Sequence, residues 1–295
     1  MSMSNDSDPA RPWAARFRGL RVVHVVRTAT ITPGMRRITL GGREAVGMPD
    51  GPNLKLVLPP RPGVPLEVPL RGENGEALWP PVERRPAIRT FTVRRYDPRS
   101  GELDVDFVLH GDDGPASAWA SRAKPGDPLG ISVPGGREVR PADWYLLVGD
   151  HTAVPALSRI LETLPADAKG HALIEVPGAA DEQPLVHPAG IALHWTHRRH
   201  PAQLEEAVRA LPWPDDGEPF VWVGAESEVA RSIRAYVRDE RKLDRRRFLV
   251  IGYWRRGMSE GEYAAAHDHD RGPDYHQVAK EEERGHHDHA HGHDH

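Results

Sequence analysis

The 295-residue chain contains no cysteine. That excludes disulfides, thiolate nucleophiles, Cys-ligated zinc and Cys-held iron–sulfur clusters. No apolar run approaches the roughly 18–20 residues of a membrane-spanning helix, and residues 1–18 lack the apolar centre of a signal peptide. A cytoplasmic protein without a membrane span is the expectation. The dinucleotide fingerprint G-x-G-x-x-G is missing. No spacing of Ser, His and Asp suggests a nucleophilic triad or a metallohydrolase. The net charge is −4, but residues 261–295 hold nine Asp/Glu against three Lys/Arg, a net of −6, which leaves about +2 for the rest. So balanced a body does not suggest nucleic-acid binding.

What is present divides the chain in two, a length that lets each part bury its own core. After an irregular leader over 1–18, short strands are predicted at 20–26, 35–40, 53–58, 89–94, 103–109 and 129–133, separated by Gly/Pro turns. The proline-rich stretch 59–86 reads as a surface loop. Six such strands with one short helix near Ala116 predict a small antiparallel β-barrel. From Pro141 the pattern changes. Residues 144–148 form a continuous apolar run, as in a strand buried on both faces, and further strands are predicted at 172–176, 191–195, 220–223 and 247–251. Helices to about Leu164, at 201–211 and at 226–241 alternate with them, which predicts a parallel sheet with crossover helices.

Chemistry concentrates in Arg89-Thr90-Phe91-Thr92-Val93-Arg94. Its period-2 pattern suits a half-buried strand, and it is compatible with an ordinary amphipathic one. It also offers a phosphate-pairing guanidinium, an aromatic face and hydroxyls. Asp106-Phe107-Val108-Leu109-His110-Gly111 then leads to Gly114-Pro115-Ala116-Ser117, which reads as a helix start. Free N–H groups there, with the helix dipole, suit a phosphate or pyrophosphate, and a strand arginine would complete the site. Together these describe a flavin dinucleotide pocket. In the second half, Gly149-Asp150-His151-Thr152 and Gly224-Ala225-Glu226-Ser227 fall at the carboxyl ends of parallel strands, where such sheets bind ligands. Both are equally compatible with plain capped turns. Tyr253-Trp254-Arg255-Arg256-Gly257 is compatible with a core aromatic cluster flanked by solvated arginines.

These motifs, R-T-F-T-V-R, D-F-V-L-H-G…G-P-A-S-x-W-A, G-D-H-T-A-V-P-A and Y-W-R-R-G, occur in order from about Leu20 to Glu260. They resemble the siderophore-interacting, ferric-siderophore reductase family of ferredoxin-reductase-like flavoproteins. The resemblance implies an FAD-binding β-barrel over 19–141 and an α/β, nicotinamide-binding-like domain over 142–260. It implies FAD contacts from Arg89, Thr90, Phe91, Thr92 (near flavin N5), Asp106, Val108, His110, Gly114, Pro115, Ala116 and Ser117. Thr152, Pro155 and Trp254 are implied beside the flavin, and Gly149, Asp150, Gly224 and Glu226 beside NADH or NADPH. Lys55, Arg255 and Arg137 are implied as cations for an anionic ferric siderophore. The family usually has a glutamate where His151 stands. A 2′-phosphate on the nucleotide would need a cation, for which Arg198 and Arg231 are candidates.

The implied activity is reduction of ferric siderophores by FAD with NAD(P)H, by a monomer. The alternatives are an FAD reductase with another acceptor, with ferredoxin as a possible partner, and a non-enzymatic siderophore or metal binder. Residues 261–295 read as an acidic, disordered tail. Its His/Asp alternation suits divalent metals, with His286, His287, His289, His291, His293 and His295 as candidate ligands; adventitious binding is the plainer reading.

Overall fold

The computed structural model describes residues 19–111, 114–258, 260–267, 275, 277 and 278. Its contacts divide the chain into two units, Met1–Gly136 and Arg137–His295.

In the first unit the strands are β1 (Arg21–Thr32), β2 (Met35–Gly41), β3 (Asn53–Leu58), β4 (Leu70–Arg71), β5 (Ala77–Leu78), β6 (Ala87–Thr92), β7 (Arg95–Asp97), β8 (Glu102–Val108) and β9 (Pro128–Ile131). One helix, α1 (Pro115–Arg122), follows β8. Seven strands form an antiparallel sheet in the order β6-β3-β9-β1-β2-β8-β7, while β4 and β5 pair separately. The expected barrel is this sheet curled on itself, with Phe91 of the end strand β6 meeting Phe107 of β8 at 4.5 Å between ring centroids. Alternation sorts its faces. Leu54, Leu56, Leu103, Val105 and Phe107 enter the core. On the other face of β8, the register partners Thr39 and Asp104 share a 2.6 Å hydrogen bond.

Three boundaries differ from the sequence reading. β1 runs on past Val26 to Thr32 because its exposed half still pairs with β2 across register shifts. β6 ends at Thr92, since Val93 turns its N–H to Pro52 (2.9 Å). The loop over 59–86 carries the two-residue β4–β5 ladder, too short to leave a periodic pattern.

In the second unit β10 (Trp144–Asp150), β11 (Lys169–Val176), β12 (Gly190–His197), β13 (Pro219–Glu226) and β14 (Phe248–Trp254) make a parallel sheet of order β12-β11-β10-β13-β14. Every residue of the central β10 is buried, which explains its unbroken apolar run. Helices α2 (Val154–Thr163), α3 (Gln203–Ala210) and α4 (Ser227–Ala235) serve three of the crossovers. The helix predicted to run to residue 241 leaves α-geometry at Tyr236, where a π-helical turn occupies Tyr236–Glu240.

The tail expected from residue 261 lies mostly outside the described residues. Helix α5 (Glu260–His267) forms at its start and Tyr263 is fully buried, as is Val278 further on. Among the described residues no helix is long and apolar enough to cross a membrane.

Candidate functional site

In the first unit the site is assembled around β6. Residues facing one another across β3 and β6 share a face, so Lys55 lies opposite Thr90 and Leu54 opposite Phe91. Lys55 is exposed, and its Nζ donates to Thr90 Oγ1 at 2.6 Å. Arg89 is half-buried and donates to the Ile88 carbonyl at 2.8 Å. Thr92 is buried. Phe91 was read as a stacking platform, but one side of its ring is taken by Phe107, which in turn lies 5.7 Å from Trp119 of α1. This aromatic series fixes the start of α1 relative to β6.

Among the described residues, nothing caps the helix start. Gly114 stands at its N-cap with no side chain capping it, and Pro115 occupies the first turn. The first-turn N–H groups of an α-helix have no partners inside the helix, and those of Ala116 and Ser117 make no backbone bond among the described residues. Ser117 spends its hydroxyl on the preceding turn, donating to Gly111 O (2.7 Å) and accepting from His110 N (3.0 Å). His110 is exposed and Val108 half-buried beside it. A groove of about 470 Å³ runs along α1, lined by Pro59, Arg61, Leu66, Pro115, Trp119 and Arg122 among others. An uncapped helix start, nearby cations and a groove of this size fit an FAD diphosphate and its adenosine. The Asp106 side chain, 2% exposed, closes a two-bond pair with Arg37 at 2.7 and 2.8 Å, so only its backbone is left for a ligand.

The second unit converges on Asp150. Its Oδ1 accepts from the N–H and hydroxyl of Thr152, and its Oδ2 from Glu226 N (3.0 Å) and the Trp254 indole (2.7 Å). One carboxylate thereby ties together the ends of β10, β13 and β14. Glu226 does similar work, accepting from Glu228 N as the cap of α4 and from Arg256 N (3.2 Å). Beside them lies a small pocket of about 30 Å³ lined by Asp150, Glu175, Arg198, Glu226, Trp254 and Arg256, among others. Glu175 and Arg198 pair at 2.6 Å, and the Arg198 guanidinium lies 6.0 Å from the Trp254 ring. Arg231 is exposed on α4 and does not line this pocket.

Sequence reasoning missed Glu175. The signal was an acid inside the apolar run Ala172-Leu173-Ile174-Glu175-Val176, at the carboxyl end of a strand. Gly149 and Gly224, read as ligand-facing, are explained by the chain's own packing. A Cβ at Gly149 would meet Ala153 Cβ at 2.6 Å, and one at Gly224 would meet the Trp222 ring at 2.7 Å. Pro155 is buried in the first turn of α2. His151 is buried, with Nε2 3.9 Å from Asp181 and no hydrogen-bond partner among the described residues. Burial pushes its imidazole below the usual range, with Arg198 adding to this and Asp181 and Asp150 opposing it.

The three proposed siderophore cations are all engaged. Besides Lys55, Arg255 lies 2.8 Å from His267 Nε2 and Arg137 stacks over Tyr275 at 5.2 Å. His286, His287, His289, His291, His293 and His295 lie outside the described residues.

Comparison with known proteins agrees with this architecture. Residues 24–138 match the siderophore-interacting FAD-binding domain and residues 142–257 the siderophore-interacting protein domain. The chain is 35% identical over 270 residues to the ferric vibriobactin reductase ViuB of Vibrio cholerae, covering 88% of this chain and 96% of the relative. It is 34% identical over 247 residues to the NADPH-dependent ferric-chelate reductase of Escherichia coli, covering 81% and 93%. The crystal structure of the siderophore-interacting protein SipS from Aeromonas hydrophila superimposes with a TM-score of 0.75 at 38% identity, over 88% of this chain and all of that one. With both domains matched and nearly the full length of these relatives spanned, the chain belongs to the siderophore-interacting protein family.

Proposed function

We propose that this chain is an FAD-dependent ferric siderophore reductase that draws electrons from NADH or NADPH. The observation that carries the reading is the start of α1, uncapped among the described residues and held to β6 through Phe107 and Trp119 within an FAD-binding domain. The relatives from Vibrio cholerae and Escherichia coli, named for reducing ferric chelates, support the acceptor.

In this reading the N–H groups of Ala116 and Ser117, with Arg89, hold the FAD diphosphate, and Gly114 lets it approach the backbone. Thr90 and Thr92 would hold the flavin, while Phe91, locked against Phe107, fixes that strand. Bound FAD supplies the conversion between a two-electron nicotinamide donor and one-electron reduction of Fe(III). Asp150 holds the Trp254 indole and the Thr152 turn in place, and the pocket between Glu175, Glu226 and Trp254 receives the nicotinamide nucleotide. Lys55, Arg137 and Arg255 attract the anionic ferric chelate by steering. A single chain acting in the cytoplasm, with ferredoxin and tail-bound metals in lesser roles, belongs to the same reading.

The test is the charge of the acceptor. Lys55→Ala should raise KM for an anionic ferric catecholate about tenfold at low ionic strength, and the difference should shrink as salt screens it. An unchanged KM, or one equally raised for an uncharged ferric chelate, contradicts the assignment.

A further inference from the structure

Three polar side chains stand in one row across the carboxyl edge of the parallel sheet. Asp150 is the register partner of Glu175, and Glu175 that of Thr196. The first is saturated, its two oxygens taking four hydrogen bonds. The other two are not. Glu175 gives Oε1 to Arg198, but its Oε2, on a side chain only 6% exposed, has no hydrogen-bond partner among the described residues, and neither has Thr196 Oγ1. A buried carboxylate oxygen without a donor is costly. The oxygen itself is covered in this structure, on a residue that lines the pocket beside Trp254.

We propose that Glu175 is a specificity residue that accepts a ribose hydroxyl of the nicotinamide dinucleotide, so that this chain prefers NADH to NADPH. The proposal rests on the reading of this pocket as the nucleotide site. Three observations support it. Glu175 is the penultimate residue of β11, the strand next to the central one, where an acid in an open α/β sheet reads the ribose diol. Its unpaired oxygen requires a donor, which a hydroxyl has and a 2′-phosphate lacks. The charge balance points the same way: Asp150, Glu175 and Glu226 outnumber Arg198 and Arg256 around the pocket. Arg198, which the sequence offered as a partner for a 2′-phosphate, is already held by Glu175.

The oxidised nucleotides bind without turnover, so calorimetric titration of the FAD-loaded full chain with NAD⁺ and NADP⁺ tests this apart from activity. NAD⁺ should bind at least about tenfold more tightly. Glu175→Gln keeps the shape, removes the charge and releases Arg198; it should cut the preference about tenfold, weakening NAD⁺ and strengthening NADP⁺. Should that variant not fold, as circular dichroism would show, Arg198→Gln is the second probe and should leave the NAD⁺ preference standing. Tighter binding of NADP⁺ by the unaltered chain, abolished in Arg198→Gln, would overturn the proposal. So would failure to bind either nucleotide. In that case reoxidation of dithionite-reduced flavin by a ferric chelate still decides whether the reductase reading holds.

Discussion

Asp150 accepts four hydrogen bonds on a residue that is 2% exposed, and three strand ends depend on it. Asp150→Asn would turn one acceptor into a donor facing N–H or O–H groups that have nowhere else to go. The expected loss is about 2 kcal/mol of stability, read from the midpoint of chemical unfolding. His151 gives a second prediction at this scale. Its folded pKa lies below the ordinary 6.5, mainly through burial, although Asp181 and Asp150 pull it up while Arg198 lowers it further. The fold therefore favours the neutral ring. Its contribution to stability is complete above about pH 6.5 and is lost as pH falls toward the folded pKa, because the unfolded chain takes up the proton first. His151→Gln should flatten the pH dependence of unfolding just below 6.5; an unchanged profile would place that titration elsewhere. The sequence had drawn attention to Asp150 through its place after a buried strand, but as a ligand contact. Its role as the tie between β10, β13 and β14 depends on Glu226 and Trp254, 76 and 104 residues away, which no local pattern connects.

Among elements, the Phe91–Phe107–Trp119 series links β6, β8 and α1. Phe107→Ala would open a cavity at its centre, costing about 3–5 kcal/mol. It should also release α1 from its position, so FAD retention during gel filtration should fall with stability. Retention equal to that of the unaltered chain would mean that α1 is placed by other contacts. On β10, Gly149→Ala would drive a methyl into Ala153 and Leu157, with overpacking worth about 1–3 kcal/mol. Most strands were legible because they alternate or run continuously apolar: β3 shows Leu54, Leu56 and Leu58 inward around an exposed Lys55, and β10 is apolar over Trp144–Val148. The ends were less so. Val93 leaves β6 for a bond to Pro52, and the π-turn at Tyr236 keeps a helical spacing of apolar residues. Glu175 escaped notice since its unsatisfied oxygen is a property of packing, and a lone acid in a strand looks the same when fully paired.

For the whole molecule, the two halves announced themselves through a change from short alternating strands to apolar strands with crossover helices, and the order of the motifs resembles that of the family. The described residues of the acidic C-terminal stretch make contacts of their own. Tyr263 and Val278 are buried, His267 meets Arg255, and Tyr275 lies under Arg137. Deleting residues 259–295 should lower the unfolding midpoint and, by removing these partners of two proposed siderophore cations, lower KM for an anionic ferric chelate several-fold. Steady-state kinetics beside a melting curve would separate the two effects.

The central claim is that one chain passes electrons from a nicotinamide nucleotide through FAD to a ferric siderophore. The visible spectrum of the FAD-loaded protein, followed without oxygen, addresses it most directly. The flavin bands should bleach on addition of NADH and return when a ferric siderophore is added, with Fe(II) trapped by a colorimetric chelator in step. A protein that takes up no FAD, or whose bleached flavin is not reoxidised by the ferric siderophore, would contradict it.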